Sequence, residues 1–449
     1  MSADPARRLD RRALLVRGGL VAGASVLGGT GGYAAARQLS RRDDATPTTT
    51  GARERRQFAL DGEYVNLTTF LLASHPRRVR DAIERHRRAL DANAAGYLRE
   101  SEVALEDAAR SAVAGYLGAP PDQVALTDST TMGIGLVYAR LRLEPGDEVL
   151  TTEHDFYATH ESLRLRRQVD GARVRRIRLY DAPESATVDG VVSAVSRALS
   201  ARTRCVALTW VHSSTGVKLP LREIADAIAT ANRGRRTNER ILLCVDAVHG
   251  FGVENASPLE LGVDVFISGC HKWLFGPRGT GLIWAAPHAW ERLQPTIPSF
   301  DARAYRAWLE GRAPTDTPHG PLMTPGGFHS FEHRWALADA IGFHADLGGR
   351  ALVADQTYSL VARLKRGLAG IGGVRLRTPA EQSLSAALVC LDIAGADAGA
   401  VVERLREEHR VVASVTPYST QHVRFGPSVA NTTDDIDRAV EAVAAVARN

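Results

Sequence analysis

Cysteine is sparse. The 449-residue chain holds four, Cys205, Cys244, Cys270 and Cys390, each in or beside an apolar, strand-like run. Their spacing matches neither a disulfide framework nor a zinc site, so buried free thiols are expected and no metal is. A strong charge bias is also missing: 56 Lys and Arg stand against 51 Asp and Glu, a formal +5. Much of the excess sits in the head, where Arg7, Arg8, Arg11, Arg12 and Arg17 face only Asp4 and Asp10. That is not the clustered basic face of a nucleic-acid binder, and nucleic acid is not an expected partner. No internal repeat or coiled-coil heptad stands out. With 44% apolar and 24% charged residues, the chain has globular composition, which excludes disorder, collagen and a polytopic membrane protein. At roughly 150 residues per domain, two to three domains are expected.

The first 36 residues read as an address. Arg11-Arg12 and Ala13-Leu14-Leu15 precede an uncharged Gly/Ala-rich run from Gly18 to Ala36, ending in Ala34-Ala35-Ala36. A basic start, an apolar middle and a small-residue end make a secretory signal. The twin arginine makes it resemble a signal for the twin-arginine (Tat) export machinery. The expectation is export to periplasm or exterior, with an uncleaved membrane anchor as the alternative. Residues 37–59 are largely polar, with Pro47 and several threonines, and read as a flexible linker.

From residue 60 the pattern alternates. Apolar runs EVLTTE (148–153), RVRRIRL (173–179), CVALTWV (205–211), ILLCVDAV (241–248), DVFISG (264–269) and GLIWAA (281–286) read as strands. Helical patterns fall at 75–92, 101–117, 189–200 and 221–232. Alternation with two-sided burial predicts an α/β large domain over 60–320, a mostly parallel sheet covered by helices. Residues 295–330 carry six prolines and read as an irregular crossing or lid. Beyond them, helices at 331–348, 353–370, 396–409 and 433–447 frame strands VRLRTP, AALVCLDI and HVRFGPS. These predict a smaller C-terminal α+β domain over 321–449.

The segment DVFISGCHKWLFGPRGTG (264–281) carries the chemistry. A lone Lys is ordinarily solvated, but Lys272 follows an apolar strand, between His271 and Trp273. Lost hydration lowers its pKa and fits it to be the amine of a Schiff base. Pyridoxal 5'-phosphate is the commonest carbonyl cofactor for such a Lys. That cofactor needs a buried carboxylate against its ring nitrogen. Asp246 ends the strand ILLCV and is costly there unless paired; a strand-end turn cap is the other reading. His249, three residues on, could reach the ring hydroxyl. The phosphate needs backbone N–H groups at a helix start, and Ser129, Thr130 and Thr131 in ALTDSTTMGIG offer them with hydroxyls beside.

Together, H-K-W-x-x-G-P-R-G-x-G at 271–281 and D-A-x-H at 246–249 make the chain resemble the class V aminotransferases, fold-type I pyridoxal-phosphate enzymes. That family includes cysteine desulfurases and isopenicillin N epimerase-like proteins. The resemblance covers about residues 60–447. It implies that Lys272 binds the cofactor, His271 contacts the phosphate, Asp246 pairs with the ring nitrogen and His249 holds the ring hydroxyl. It further implies His154 as ring stacker, with Phe156 the second candidate, and His212 near the ring hydroxyl. Arg424, seven residues before Asn431, resembles the Arg that grips a substrate carboxylate. It implies a homodimer as well.

Departures stand beside it. Where some members carry a phosphate Ser, this chain has Gly269, with Ser268 one residue earlier. Gly326-Gly327-Phe328-His329 replaces a G-T element that reaches the neighbouring subunit's phosphate. No Cys lies in 411–423, which argues against a desulfurase of the usual kind. The substrate class is an amino acid or amine. Transamination, the family's generic activity, is expected first, with epimerisation, racemisation or β-elimination as alternatives. A secreted binding protein that has lost catalysis is the alternative of another class; retention of Lys272, Asp246 and Arg424 argues against it.

Overall fold

The computed structural model describes residues 51–448; the signal-like head and the first part of the linker lie outside them. Residues 51–57 are not the open tether expected. Ala52–Arg55 form a helical turn, and Arg55 pairs with Asp435. Buried Phe58 follows, packed on Phe275 and Phe343. This aromatic anchor is what ties the segment down. β1 (Val65–Asn66) then pairs in parallel with β11 (Val411–Val412). Val65, Leu67 and Phe70 therefore share a core with the C-terminal part of the chain.

The large sheet holds β2 (Val124–Thr127), β3 (Glu148–Thr152), β4 (Arg173–Ile177), β5 (Thr203–Thr209), β6 (Leu242–Asp246), β7 (Val265–Gly269) and β8 (Gly281–Ala285). Its spatial order is β2-β8-β7-β6-β5-β3-β4. Only β8 runs antiparallel to its neighbours. Helices cover the sheet, so β5, β6 and β7 are buried along their whole length. That is why they read as continuous apolar runs. Edge strand β4 instead carries Arg173, Arg175 and Arg176, charges that discourage pairing with another chain. The four cysteines are buried and free.

The helices at 189–200 and 221–232 are found at Val188–Ala198 and Leu221–Ala231. The pair expected at 75–92 and 101–117 runs together as Arg77–Leu117, broken at Asn93. The Asn93 carboxamide accepts a bond from the Gly96 amide at 3.1 Å. It thus restarts the second half as a cap would. Segment 295–330 is less irregular than its prolines suggest. Ala302–Leu309 and His319–Met323 are helical, the first capped by Asp301 and the second begun by Pro318.

The small sheet is antiparallel, with β9 (Val374–Leu376), β10 (Val389–Ile393), β12 (Ser414–Val415) and β13 (Val423–Phe425) in the order β12-β13-β10-β9. Leu364, Leu391, Phe425 and Val443 are in its core, under helices Arg350–Ala369, Ala398–His409 and Thr433–Ala447. The fold is thus the expected α/β large domain plus a smaller α+β C-terminal domain.

Candidate active site

The carboxyl ends of parallel strands collect loops, and ligands bind there. Asp246 ends β6, Thr209 ends β5, and Lys272 stands three residues beyond β7. A cavity of about 160 Å³ opens among them. Lys272, Asp246, His249, His271, Ser129, Thr130, Thr131, Phe156 and Arg424 all line it. Residues as far apart in the chain as Ser129 and Arg424 are brought to one place.

Burial lowers the Lys272 ammonium to about 8, helped by Arg424 and opposed by Asp246. Its Nζ lies 3.4 Å from His249 Nε2. Trp273 Nε1 donates to the other ring nitrogen of His249, Nδ1, at 3.4 Å. Burial, then Lys272, push the His249 pKa well down, so the ring is neutral. Nδ1 is thus engaged by Trp273, and Nε2 is the ring nitrogen turned to Lys272. Asp246, 2% exposed, is raised to about 6 by burial. Among the described residues, the Val248 amide alone, at 3.2 Å, bonds to its Oδ1.

These residues fit pyridoxal phosphate. Ser129 caps helix Thr130–Arg140 through the Met132 amide, leaving first-turn N–H groups free for an anion. Thr130 Oγ1 is buried with no partner among the described residues. A Cβ on Gly269 would stand 2.9 Å from that hydroxyl and 2.8 Å from His271 Cε1. A Ser at this place would crowd the cradle, which accounts for the glycine. Ser268 points elsewhere: it is fully buried, does not line the cavity, and donates to the Gly269 carbonyl at 3.0 Å.

Two histidines are not where the resemblance implied. His154 does not line the cavity; its ring stacks on Tyr180 at 4.0 Å, and its Nε2 accepts from the Leu179 amide at 3.3 Å. Phe156 lines the cavity instead. His212 is fully buried beside it, with Nδ1 2.8 Å from the Tyr180 hydroxyl; the next residue, Ser213, reaches the cavity. Tyr180 takes both rings.

Arg424 is 2% exposed. Its Nη1 donates to the Ser213 carbonyl at 3.0 Å and its Nε to Ser414 Oγ at 3.2 Å. The guanidinium lies over the Phe70 ring, 4.4 Å from its centroid. No carboxylate of the described residues pairs with it. Asn431 does not line the cavity; it accepts from the Ser428 amide and donates to the Asn66 carbonyl, holding the turn in place.

Phe70, Leu71, Ser213 and Pro417 also line the cavity, and no sequence signal marked them. Asp155 was missed too. It is buried, accepting from Thr151, from both the amide and the hydroxyl of Thr152, and from the Thr209 amide. It fastens the β3 loop to the end of β5. The run T-T-x-x-D-F at 151–156, an Asp three residues past a strand ending in Thr-Thr, is the pattern that could have found it.

The class-V aminotransferase family matches residues 73–438. The chain is 28% identical over 401 residues to isopenicillin N epimerase of Streptomyces clavuligerus, covering 87% of this chain and 97% of that one. It is 27% identical to the protein of that name from Amycolatopsis lactamdurans, over 88% and 98%. The solved cystine C–S lyase C-DES superposes with a TM-score of 0.75 at 20% identity, over 85% and 98% of the chains. Cysteine desulfurase CsdA of Escherichia coli gives 0.73 at 24%, over 88% and 98%. With the cradle, Lys272 and Asp246 in one cavity, the chain belongs to the class-V aminotransferase family and is a pyridoxal-phosphate-dependent enzyme of fold type I.

Proposed function

We propose that the protein acts on an α-amino acid, removes its Cα proton, and completes epimerisation or β-elimination rather than transamination. The observation that carries the substrate class is Arg424, a buried guanidinium with no carboxylate partner among the described residues, in the same cavity as Lys272. A substrate carboxylate supplies the missing partner in bidentate form. The outcome is supported by the likeness to isopenicillin N epimerases over nearly their whole length and by a relative named as a probable hercynylcysteine sulfoxide lyase. The expectation of transamination gives way on that ground.

Pyridoxal phosphate, when bound, supplies an electron sink that acidifies bonds at Cα. Ser129, Thr130, Thr131 and His271 would hold its phosphate, Asp246 its ring nitrogen, and Lys272 its carbonyl carbon. His249 would hold the ring hydroxyl oxygen. Phe156 provides an apolar wall. Once free as an amine, Lys272 Nζ takes the Cα proton; a pKa near 8 keeps part of it unprotonated near neutral pH. Arg424 orients the amino acid and Phe70 shields the guanidinium from water.

Incubating the holoenzyme in D₂O with D- and L-amino acids, and no 2-oxo acid, tests this. The expected result is deuterium at Cα with enantiomer interconversion or a 2-oxo product of elimination. Product formation only when a 2-oxo acid acceptor is added returns the reading to transamination.

Assembly and address complete the proposal. The chain works as a homodimer, supported by Phe300, Tyr305, Trp308, Leu309 and Phe328 exposed along one segment, Phe328 at 87%. Light scattering showing a cofactor-loaded monomer refutes it. Arg11 and Arg12 direct twin-arginine export; changing both to Lys leaves precursor inside the cell, and unaffected export refutes the route.

A further inference from the structure

Ser213 stands where the two domains meet. It lies four residues beyond the end of β5 and lines the Lys272 cavity. Two small-domain groups end on it. Its carbonyl accepts from Arg424 at 3.0 Å, and its hydroxyl lies 2.7 Å from the Tyr418 hydroxyl. Tyr418 belongs to the loop between β12 and β13. Its neighbour Pro417 lines the cavity, and its ring meets Phe156 edge-on at 6.2 Å. The loop is braced within itself: the Thr416 amide donates to the His422 carbonyl, and the His422 amide donates to Thr416 Oγ1, both at 2.9 Å. Such a loop moves as a unit, and Arg424 is two residues beyond it.

We propose that Tyr418 is a positioning residue: its bond to Ser213 latches the 416–422 loop onto the large domain and so fixes the Arg424 fork beside Lys272. The inference deepens the function proposed above and rests on the carboxylate role of Arg424. A guanidinium has five N–H donors. The bonds to Ser414 and Ser213 occupy two of them and leave the rest of the fork for a ligand. The fork keeps its aim only while Ser213 holds still relative to β13. The Tyr418 bond ties those two points together. It leaves proton removal at Lys272 untouched, so its loss acts on substrate capture before it acts on chemistry.

The test uses the holoenzyme with Tyr418→Phe, Ser213→Ala and the double variant. Hydrogen–deuterium exchange without substrate reads the latch directly. Each single change is expected to speed amide exchange in 416–422 by about 2- to 10-fold, the range for one net hydrogen bond. The double variant is expected to go no faster, since all three lose the same bond. Amides of β10 serve as internal control and stay unchanged. With whichever amino acid exchanges its Cα proton fastest, KM rises by a similar factor and kcat falls less. Unchanged loop exchange in both single variants overturns the latch, whatever the substrate. Equal acceleration in β10, or additive effects in the double variant, overturns it as well. Faster loop exchange with unaltered KM confirms the latch and refutes the carboxylate role of Arg424 instead.

Discussion

The two ends of the cavity are built on different plans. The cofactor end comes from one sheet: Asp246 at the end of β6, Lys272 after β7, Ser129 and Thr130 after β2. Those strands are buried throughout and fixed by ladder bonds to neighbours. The substrate end is assembled across domains, from Phe70 near β1, Ser213 after β5 and Arg424 on β13. β13 lies in a separate, four-stranded antiparallel sheet. The difference teaches which end of the cavity is fixed within one sheet and which depends on how separate parts of the chain meet. A rigid sheet edge holds cofactor groups within the tolerance catalysis needs. A wall assembled from Phe70, Ser213 and Arg424 keeps its shape only while their three segments stay in register.

The largest effect expected is at the cofactor end. Lys272→Ala should cost about 10²- to 10⁴-fold in turnover through lost acid–base chemistry alone. Borohydride reduction of the wild-type holoenzyme, followed by peptide mapping, should place the pyridoxyl group on Lys272. The sharpest competitor is Lys365, which burial also lowers to about 8. It donates to Ser385 Oγ and the Pro379 carbonyl and lies outside the cavity lining; a label there breaks the comparison. Next comes Gly250→Ala. A Cβ there would meet Trp210 Cε3 at 2.0 Å, and the Trp210 amide bonds the Asp246 carbonyl at 2.7 Å. Overpacking of about 1–3 kcal/mol should lower the urea midpoint and loosen cofactor retention together. A variant of unchanged midpoint would show that the cofactor end is softer than its burial implies.

Arg424→Ala probes the other end. Loss of a charge-assisted contact of about 1.5–3 kcal/mol should cut amino-acid turnover on the order of 10- to 100-fold. The bond between Lys272 and the cofactor lies in the large domain and should keep its absorbance. Amines lacking a carboxylate should be much less affected; equal loss for both classes would make Arg424 structural.

The same contrast explains what could be read from the sequence. Asp246 and Lys272 belong to strand-and-turn segments, so adjacency in sequence is adjacency in space, and their motifs are visible. The central strands β5, β6 and β7 were visible because full burial writes an apolar run. The substrate wall is not local. Phe70 and Leu71 reach it because Val65 pairs with Val411, a match no short pattern announces. Tyr418 is in place only because Ser213 comes to meet it. Phe156 rather than His154 faces the cavity because Tyr180 claims the His154 ring. The linker helix Ala52–Arg55 was hidden for the same reason, its partner Asp435 being at the far end of the chain.

The smallest effect expected is a matter of pH. Asp246 is a buried carboxylate raised from its ordinary 3.8 to about 6. Its folded-state pKa lies above its unfolded one, so the protonated form is favoured on folding. That contribution is fully present below about pH 4 and is lost as pH rises through 6. Above that, the cofactor-free protein carries an ionised carboxylate in an apolar setting, relieved in part by Lys272. A shift of about two units, with the attraction to Lys272 already counted in it, bounds the cost at about 3 kcal/mol. Asp246→Asn keeps the acceptor for the Val248 amide and removes the titration. The cofactor-free variant should therefore match wild type near pH 4 and exceed its unfolding free energy near pH 7. Adding pyridoxal phosphate should reverse the order, because a protonated ring nitrogen favours the ionised carboxylate and stabilises only the wild type. Denaturation curves with and without cofactor at the two pH values decide it. Equal stability of the two cofactor-free proteins at both would mean that Asp246 is already satisfied without the ring. The cofactor end would then hold no strain for its ligand to relieve.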